Sequence, residues 1–91
     1  MYAALVYLTI DPEQAPAAAA AFTSNILPKV KSALGFVAGH WVDPVDGQGF
    51  GFLIFETEKQ ALAATPPKAN WSAPGITILR TEVRRVAVSI P

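Results

Sequence analysis

Five side chains of this 91-residue sequence have the chemistry to act on a small molecule or to hold one: His40, Tyr7, Asn70, Trp71 and Phe52. His40 is the only histidine, and imidazole titrates near neutral pH, so it is the candidate base or orienting donor. Its expected face also carries Phe36, Ala38 and Val42. The plainer alternative is a core or interface histidine satisfied by a backbone or carboxylate partner. Tyr7 is a candidate donor to a substrate carbonyl, or else a core tyrosine with one hydrogen bond. Asn70 and Trp71 share a proline-rich loop. There Asn70 either serves an oxyanion or turns the chain, and Trp71 either roofs a cavity or pins the loop to the core. Phe52 is a candidate cavity wall.

Other residues carry weaker signals. Trp41 points away from His40 and either packs inside a dimer or walls a pocket. Arg80, Glu82 and Arg84 alternate along the last apolar stretch. They form a salt-bridged ladder, or an anion patch whose field Glu82 largely cancels. No phosphate-binding glycine loop, Walker pattern, Gly-x-Ser-x-Gly elbow or metal-ligand spacing is present. One histidine and no cysteine argue against a transition-metal site, and no cofactor is expected.

The elements that must position these groups follow from the hydrophobic pattern. Strand one is residues 2–10, with Val6, Leu8 and Ile10 on one face and Leu5, Tyr7 and Thr9 on the other. Asp11 and Pro12 open a helix, which begins there or near Pro16 and runs to Leu34. Phe22, Ile26, Val30 and Leu34 form its apolar stripe, joined by Ala19 and Ala33. Pro28 predicts a kink and Gly35 a left-handed cap. Strands at 36–43 and 49–55 flank a turn at Asp43–Gly47. Gly49 and Gly51 leave space above the sheet or admit another backbone. Thr57 and Gln60 make a capping box for a second helix, which Pro66 and Pro67 stop. A last strand starts near Ile76 and could continue to Ile90, well past its neighbours. Its end, Val86–Ile90, is therefore expected to meet a second subunit, since proteins cover exposed apolar edges. The alternative is a break near Arg84–Arg85 and a loose tail.

The chain is read as one domain, residues 1–91. Three strands are apolar on both faces, yet two helices cover only one face of a sheet. Apolar residues are 52% of the chain and charged ones 15%, too little polar material to coat a monomer. A chain this short has marginal stability alone, and no cysteine is available for a disulfide, so a homodimer is expected. Seven basic and seven acidic residues cancel, which excludes a field for nucleic acid or anionic lipid. The first strand is too short to span a membrane and lacks signal-peptide features, so a cytoplasmic protein is expected.

The order βαββαβ is a ferredoxin-like α+β arrangement. The runs Gly35–Trp41 and Asp46–Glu58, followed by Ala61, carry further detail. A helix ending "Pro … Gly-Phe" leads into strand two, and strand three ends in the "Phe-Glu-Thr-Glu" step at Phe55–Glu58. Over nearly its whole length the chain resembles the dimeric α+β barrel superfamily, and most of all its antibiotic-biosynthesis-monooxygenase group. The resemblance implies a homodimer with a pocket between sheet and helices, and oxidation of an apolar or aromatic molecule without metal or flavin. A second branch binds and opens haem. That branch resembles the chain less: its strand-one asparagine is missing here, where the strand offers Tyr7 and Thr9, and residues 57–75 lack its haem-ligating histidine. Two readings follow. One is a cofactor-independent monooxygenase with His40 as base, Tyr7 as donor, and Trp71, Phe52 and Asn70 around the substrate. The other is a non-catalytic dimeric module that binds a small ligand or a protein.

Overall fold

Strand β1 spans Tyr2–Ile10, β2 Phe36–Val45, β3 Gln48–Phe55 and β4 Ile76–Arg85 in a computed structural model that describes residues 1–90. They form one antiparallel sheet in the order β2-β3-β1-β4. Between β1 and β2 lies an interrupted helix: a 3-10 turn at Pro12–Gln14, α1 at Ala15–Ala21, a π-type turn at Phe22–Ile26, and α2 at Leu27–Lys31. Helix α3, Glu58–Ala64, connects β3 to β4. This is the expected ferredoxin-like α+β order.

Local chemistry accounts for the breaks. The Asp11 carboxylate accepts from the Glu13 amide at 3.1 Å and from Gln14 Nε2 at 3.2 Å, which starts the first turn. Pro28 has no N–H, and its ring crowds the carbonyl four residues back. The chain widens ahead of it, and the Leu27 amide donates to Phe22 O, five residues back. The expected kink is therefore a π turn. The helix also ends at Lys31, short of Leu34. The Ala33 and Phe36 amides bond only three residues back, and Leu34 turns outward at 81% exposure. Leu34 thus leaves the predicted stripe. Ser32 is the C-cap, and Gly35, with φ +79°, lies beyond it in the Ala33–Phe36 turn into β2, so the expected cap is a turn glycine.

Asp46 and Gly47 both have positive φ, 52° and 75°, as a two-residue hairpin of twist-matching type requires. This turn is tighter than expected. It lets β2 continue to Val45 and β3 begin at Gln48. Pro44 is tolerated because β2 is an edge strand.

Register assigns the faces. Val6 pairs with Gly51, Leu8 with Gly49, Ala4 with Leu53 and Trp41 with Gly51, so all these residues share one face. Ile26 and Val30 from the interrupted helix and Ala61 from α3 pack on that face with Val6, Leu53 and Phe55. Burying each large side chain contributes about 1.5–3 kcal/mol. The opposite face carries Leu5, Tyr7, Phe50, Phe52, Ile54, Ala38, His40 and Val42, and no helix covers it. A bulge between Phe36 and Ala38 flips the pairing, so Phe36 lies on the helix side against Phe55, away from His40. Their expected common face is thereby corrected.

Strand β4 also has a bulge. Leu8 pairs with Ile78 but Tyr7 with Arg80, which leaves Leu79 as the extra residue. Ile76 and Ile78 precede the bulge and pack on the core. Arg80, Glu82 and Arg84 follow it and stand on the uncovered face. The strand ends at Arg85, not Ile90, because β1 offers no further partner: Arg85 pairs with Tyr2, and the Val86 amide closes on Met1 O at 2.9 Å. Among the described residues, no helix is long and apolar enough to cross a membrane.

Candidate functional site

An apolar opening lies between α1 and the sheet, away from the predicted reactive residues. It is a cavity of about 550 Å³. Leu8 and Gly49 supply its floor, Trp41 and Phe22 its inner wall, and Ala18 and Ala19 its roof. Pro12, Asp43, Pro44 and Gly47 form the mouth at the hairpin end.

Small residues shape this space. The Trp41 indole covers two glycines: a β-carbon on Gly39 would come within 3.0 Å of its six-membered ring, and one on Gly51 within 2.8 Å of Nε1. Phe22 meets the indole edge-on, with ring centroids 5.2 Å apart at 76°. Trp41 Nε1 is buried and has no acceptor. Opposite Leu8, Gly49 contributes no side chain, and a β-carbon there would strike Leu8 at 2.8 Å. The roof is equally spare, because the run Ala15–Ala21 brings only the methyl groups of Ala15, Ala18 and Ala19 to the cavity.

The predicted residues fall into two groups. His40, Phe52 and Tyr7 share the uncovered face. His40 pairs with Phe52, and Tyr7 pairs with Phe50, at 5.1 Å between ring centroids. The Arg80 guanidinium lies 4.1 Å from the centre of the Tyr7 ring. None of His40, Tyr7 and Phe52 borders the helix-side cavity. Trp71 and Asn70 lie beyond α3, along a wide, open groove of about 620 Å³. Trp71 is 5% exposed and packed in the core, and its Nε1 donates to Ala64 O at 3.3 Å. Asn70 is exposed, and its Oδ1 accepts from the Ser72 amide at 2.8 Å, which turns the loop. The fold thus does not assemble the five residues around one space.

On the uncovered face Glu82 holds Arg84 at 3.0 Å and Arg80 at 3.8 Å. The Arg84 hydrogen bond, chiefly, keeps the Glu82 carboxyl below its ordinary range; the two arginine charges and the Tyr7 hydroxyl act in the same direction. Arg84 is raised in turn by Glu82. The salt-bridged ladder is present.

Sequence reasoning found Trp41 only as an alternative and passed over Phe22, Ala18 and Asp43. The signal available was Gly49 and Gly51, two missing side chains on the face of Leu53 and Phe55. The solved structures decide the fold. The chain is similar to a mutant of MhuD bound to two manganese protoporphyrin IX molecules per active site, at 16% identity and TM-score 0.69, over 100% of this chain and 99% of that one. It is also similar to the heme-degrader MhuD from Mycobacterium tuberculosis with two hemes in its active site, at 19% identity and TM-score 0.63, over all of both chains. MupZ from Pseudomonas fluorescens matches at 18% identity and TM-score 0.65, over 90% of this chain and 65% of that one.

The chain shares the ferredoxin-like α+β fold of these structures. At these identities the likeness is one of fold alone. No family model matches the sequence, and no curated protein does.

Proposed function

We propose that this protein binds an apolar, aromatic small molecule between α1 and the sheet, and works as a cytoplasmic homodimer. One observation carries the reading: an apolar cavity of about 550 Å³, walled by Trp41 and Phe22. Its size falls in the range of small-molecule sites. A flat ring entering it meets aromatic and aliphatic walls and releases water from them. The homodimer rests on the uncovered sheet face, where Leu5, Phe52 and Ile54 have no helix above them. A partner sheet would bury them.

The test is calorimetric titration with naphthalene-sized probes. Wild-type protein is expected to bind such a probe one to one. Ala19→Phe, which fills the roof of the cavity from an exposed helix position, is expected to abolish binding and leave the fold intact. Equal binding by that variant would overturn the reading.

Monooxygenation without a cofactor is a second reading, favoured by the fold shared with the heme-degrader MhuD. In it, the enolate or phenolate of the bound molecule reduces dioxygen, and the protein excludes water and orients the ring. Haem does not suit this site. The described lining offers no imidazole, thiolate or phenolate to an iron, and His40 stands on the opposite face of the sheet. Among the described residues, no group of three or more His, Cys, Asp or Glu is placed to hold a metal ion. His40 as base and Tyr7 as donor belong to this reading only for a substrate held against the uncovered face, beside Phe52. Oxygen uptake that depends on an aromatic substrate, and that falls in Tyr7→Phe or His40→Ala, is the result it requires.

A further inference from the structure

The cavity has one ionisable side chain in its lining, and that side chain is an acid. Asp43 is exposed and lines the mouth, two residues beyond Trp41 on the same strand, where the pairing with β3 becomes irregular after Val42. Around it the charges are one-sided. Glu13 follows the mouth residue Pro12, and Asp46 precedes Gly47 in the hairpin. Asp11 is engaged by the Glu13 amide and Gln14. No lysine or arginine occurs in residues 1–28 or 32–58, the two segments that supply all of the lining except Ile76. The basic side chains nearest in sequence to that isoleucine, Lys68 and Arg80, border the other groove. The chain is neutral as a whole, yet this end of it is acidic.

A carboxylate at the rim of an apolar cavity acts on a ligand in a definite way. Low-polarity walls weaken screening there, so a like charge on the outer end of a ligand is repelled and an amine or hydroxyl is attracted. Building on the binding reading above, we infer that the cavity selects aromatic molecules that carry a cationic or hydrogen-bond-donating group at the outer end, facing Asp43, and discriminates against aromatic carboxylates. The inner end of the ligand is uncharged ring, because Leu8, Ala18 and Phe22 are apolar and the one donor of the inner wall, Trp41 Nε1, is buried against Gly51.

The experiment compares three probes of one shape by calorimetry at low ionic strength: 2-naphthylmethylamine, 2-naphthol and 2-naphthoate. Wild-type protein is expected to bind the amine about five-fold or more tightly than the naphthoate, with the naphthol between them. Asp43→Asn is expected to bring the three within about two-fold, chiefly by strengthening the naphthoate. Asp46→Asn, which changes net charge equally without touching the lining, is expected to keep most of the preference. Equal binding of amine and naphthoate by wild type would overturn the selection and leave the cavity reading standing. So would a preference that survives in Asp43→Asn. Failure of every probe to bind wild type would overturn both.

Discussion

The Trp41 indole nitrogen lies against Gly51, the residue that pairs with Trp41 across the hairpin, at 2.8 Å from where a β-carbon would project. This contact sets the inner wall of the cavity, since only a residue without a side chain lets the indole lie flat on β3. Gly51→Ala is expected to tip the indole towards Phe22, lower stability by about 1–3 kcal/mol, and weaken ligand binding at the same time. Urea unfolding and probe titration on one preparation check it. An alanine variant that is as stable as wild type would show that the wall yields.

Trp71 is expected to serve the fold and not the ligand. Trp71→Ala removes a buried ring and its hydrogen bond to Ala64 O, and is expected to cost about 3–5 kcal/mol. Trp71→Phe keeps most of the packing and should leave probe affinity in the α1 cavity unchanged. A clear loss of affinity in the phenylalanine variant would return Trp71 to the site.

Thr57 accepts from the Gln60 amide at 3.2 Å, and Gln60 Oε1 accepts from the Thr57 amide at 3.2 Å. Thr57→Ala is expected to lower stability by about 1 kcal/mol, read from the urea midpoint at constant slope. Gln60 also packs over Gly35, so a side chain at position 35 would meet both a positive φ and the capping amide. Gly35→Ala should therefore cost more than the cap mutation.

The Glu82 carboxyl is held low in the folded chain, chiefly by its Arg84 hydrogen bond. A lowered folded value means that the unfolded chain takes up its proton first as pH drops. The stabilising contribution is thus present above the ordinary carboxyl value of 4.5 and is lost as pH falls through the lower folded value. The wild-type melting temperature should exceed that of Glu82→Gln near neutrality, by a small margin because the pair is solvated, and the two curves should converge in acid. A gap that persists once the carboxyl is protonated in both states would assign the difference to something other than this ionisation.

The uncovered sheet face makes the last prediction. Leu5→Glu places a charge between Phe52 and Glu82 on that face and should convert a dimer into a monomer by sedimentation velocity. Removing the chain from Ala87 onward asks separately whether the segment after β4 reaches the partner. If it does, the dimer weakens; an unchanged dimer places the interface on the sheet alone.

How much of this was legible beforehand differs by residue. The period-two alternation of Val6 and Leu8 against Leu5 and Tyr7, the left-handed conformation of Gly35, and the Thr57–Gln60 box are local properties of neighbouring residues, and each is present in the structure as read. Sequence also identified two-sided apolar strands and hence the ferredoxin-like α+β order. It could not place Phe36 or the end of β4, because a bulge and the length of a partner strand are set by pairing between distant segments. The site was the least legible part. Reactive residue types drew attention to His40, Tyr7 and Asn70, but a cavity is made by the side chains that are absent. Its walls come from Leu8, Ala18, Trp41 and Gly49, on three strands and a helix that lie far apart in the chain. Whether the methyl groups of α1 fill that space or leave it open depends on how far the helix stands from the sheet. That distance is set by Ile26, Val30 and Phe55 packing elsewhere in the core, which only the assembled structure decides.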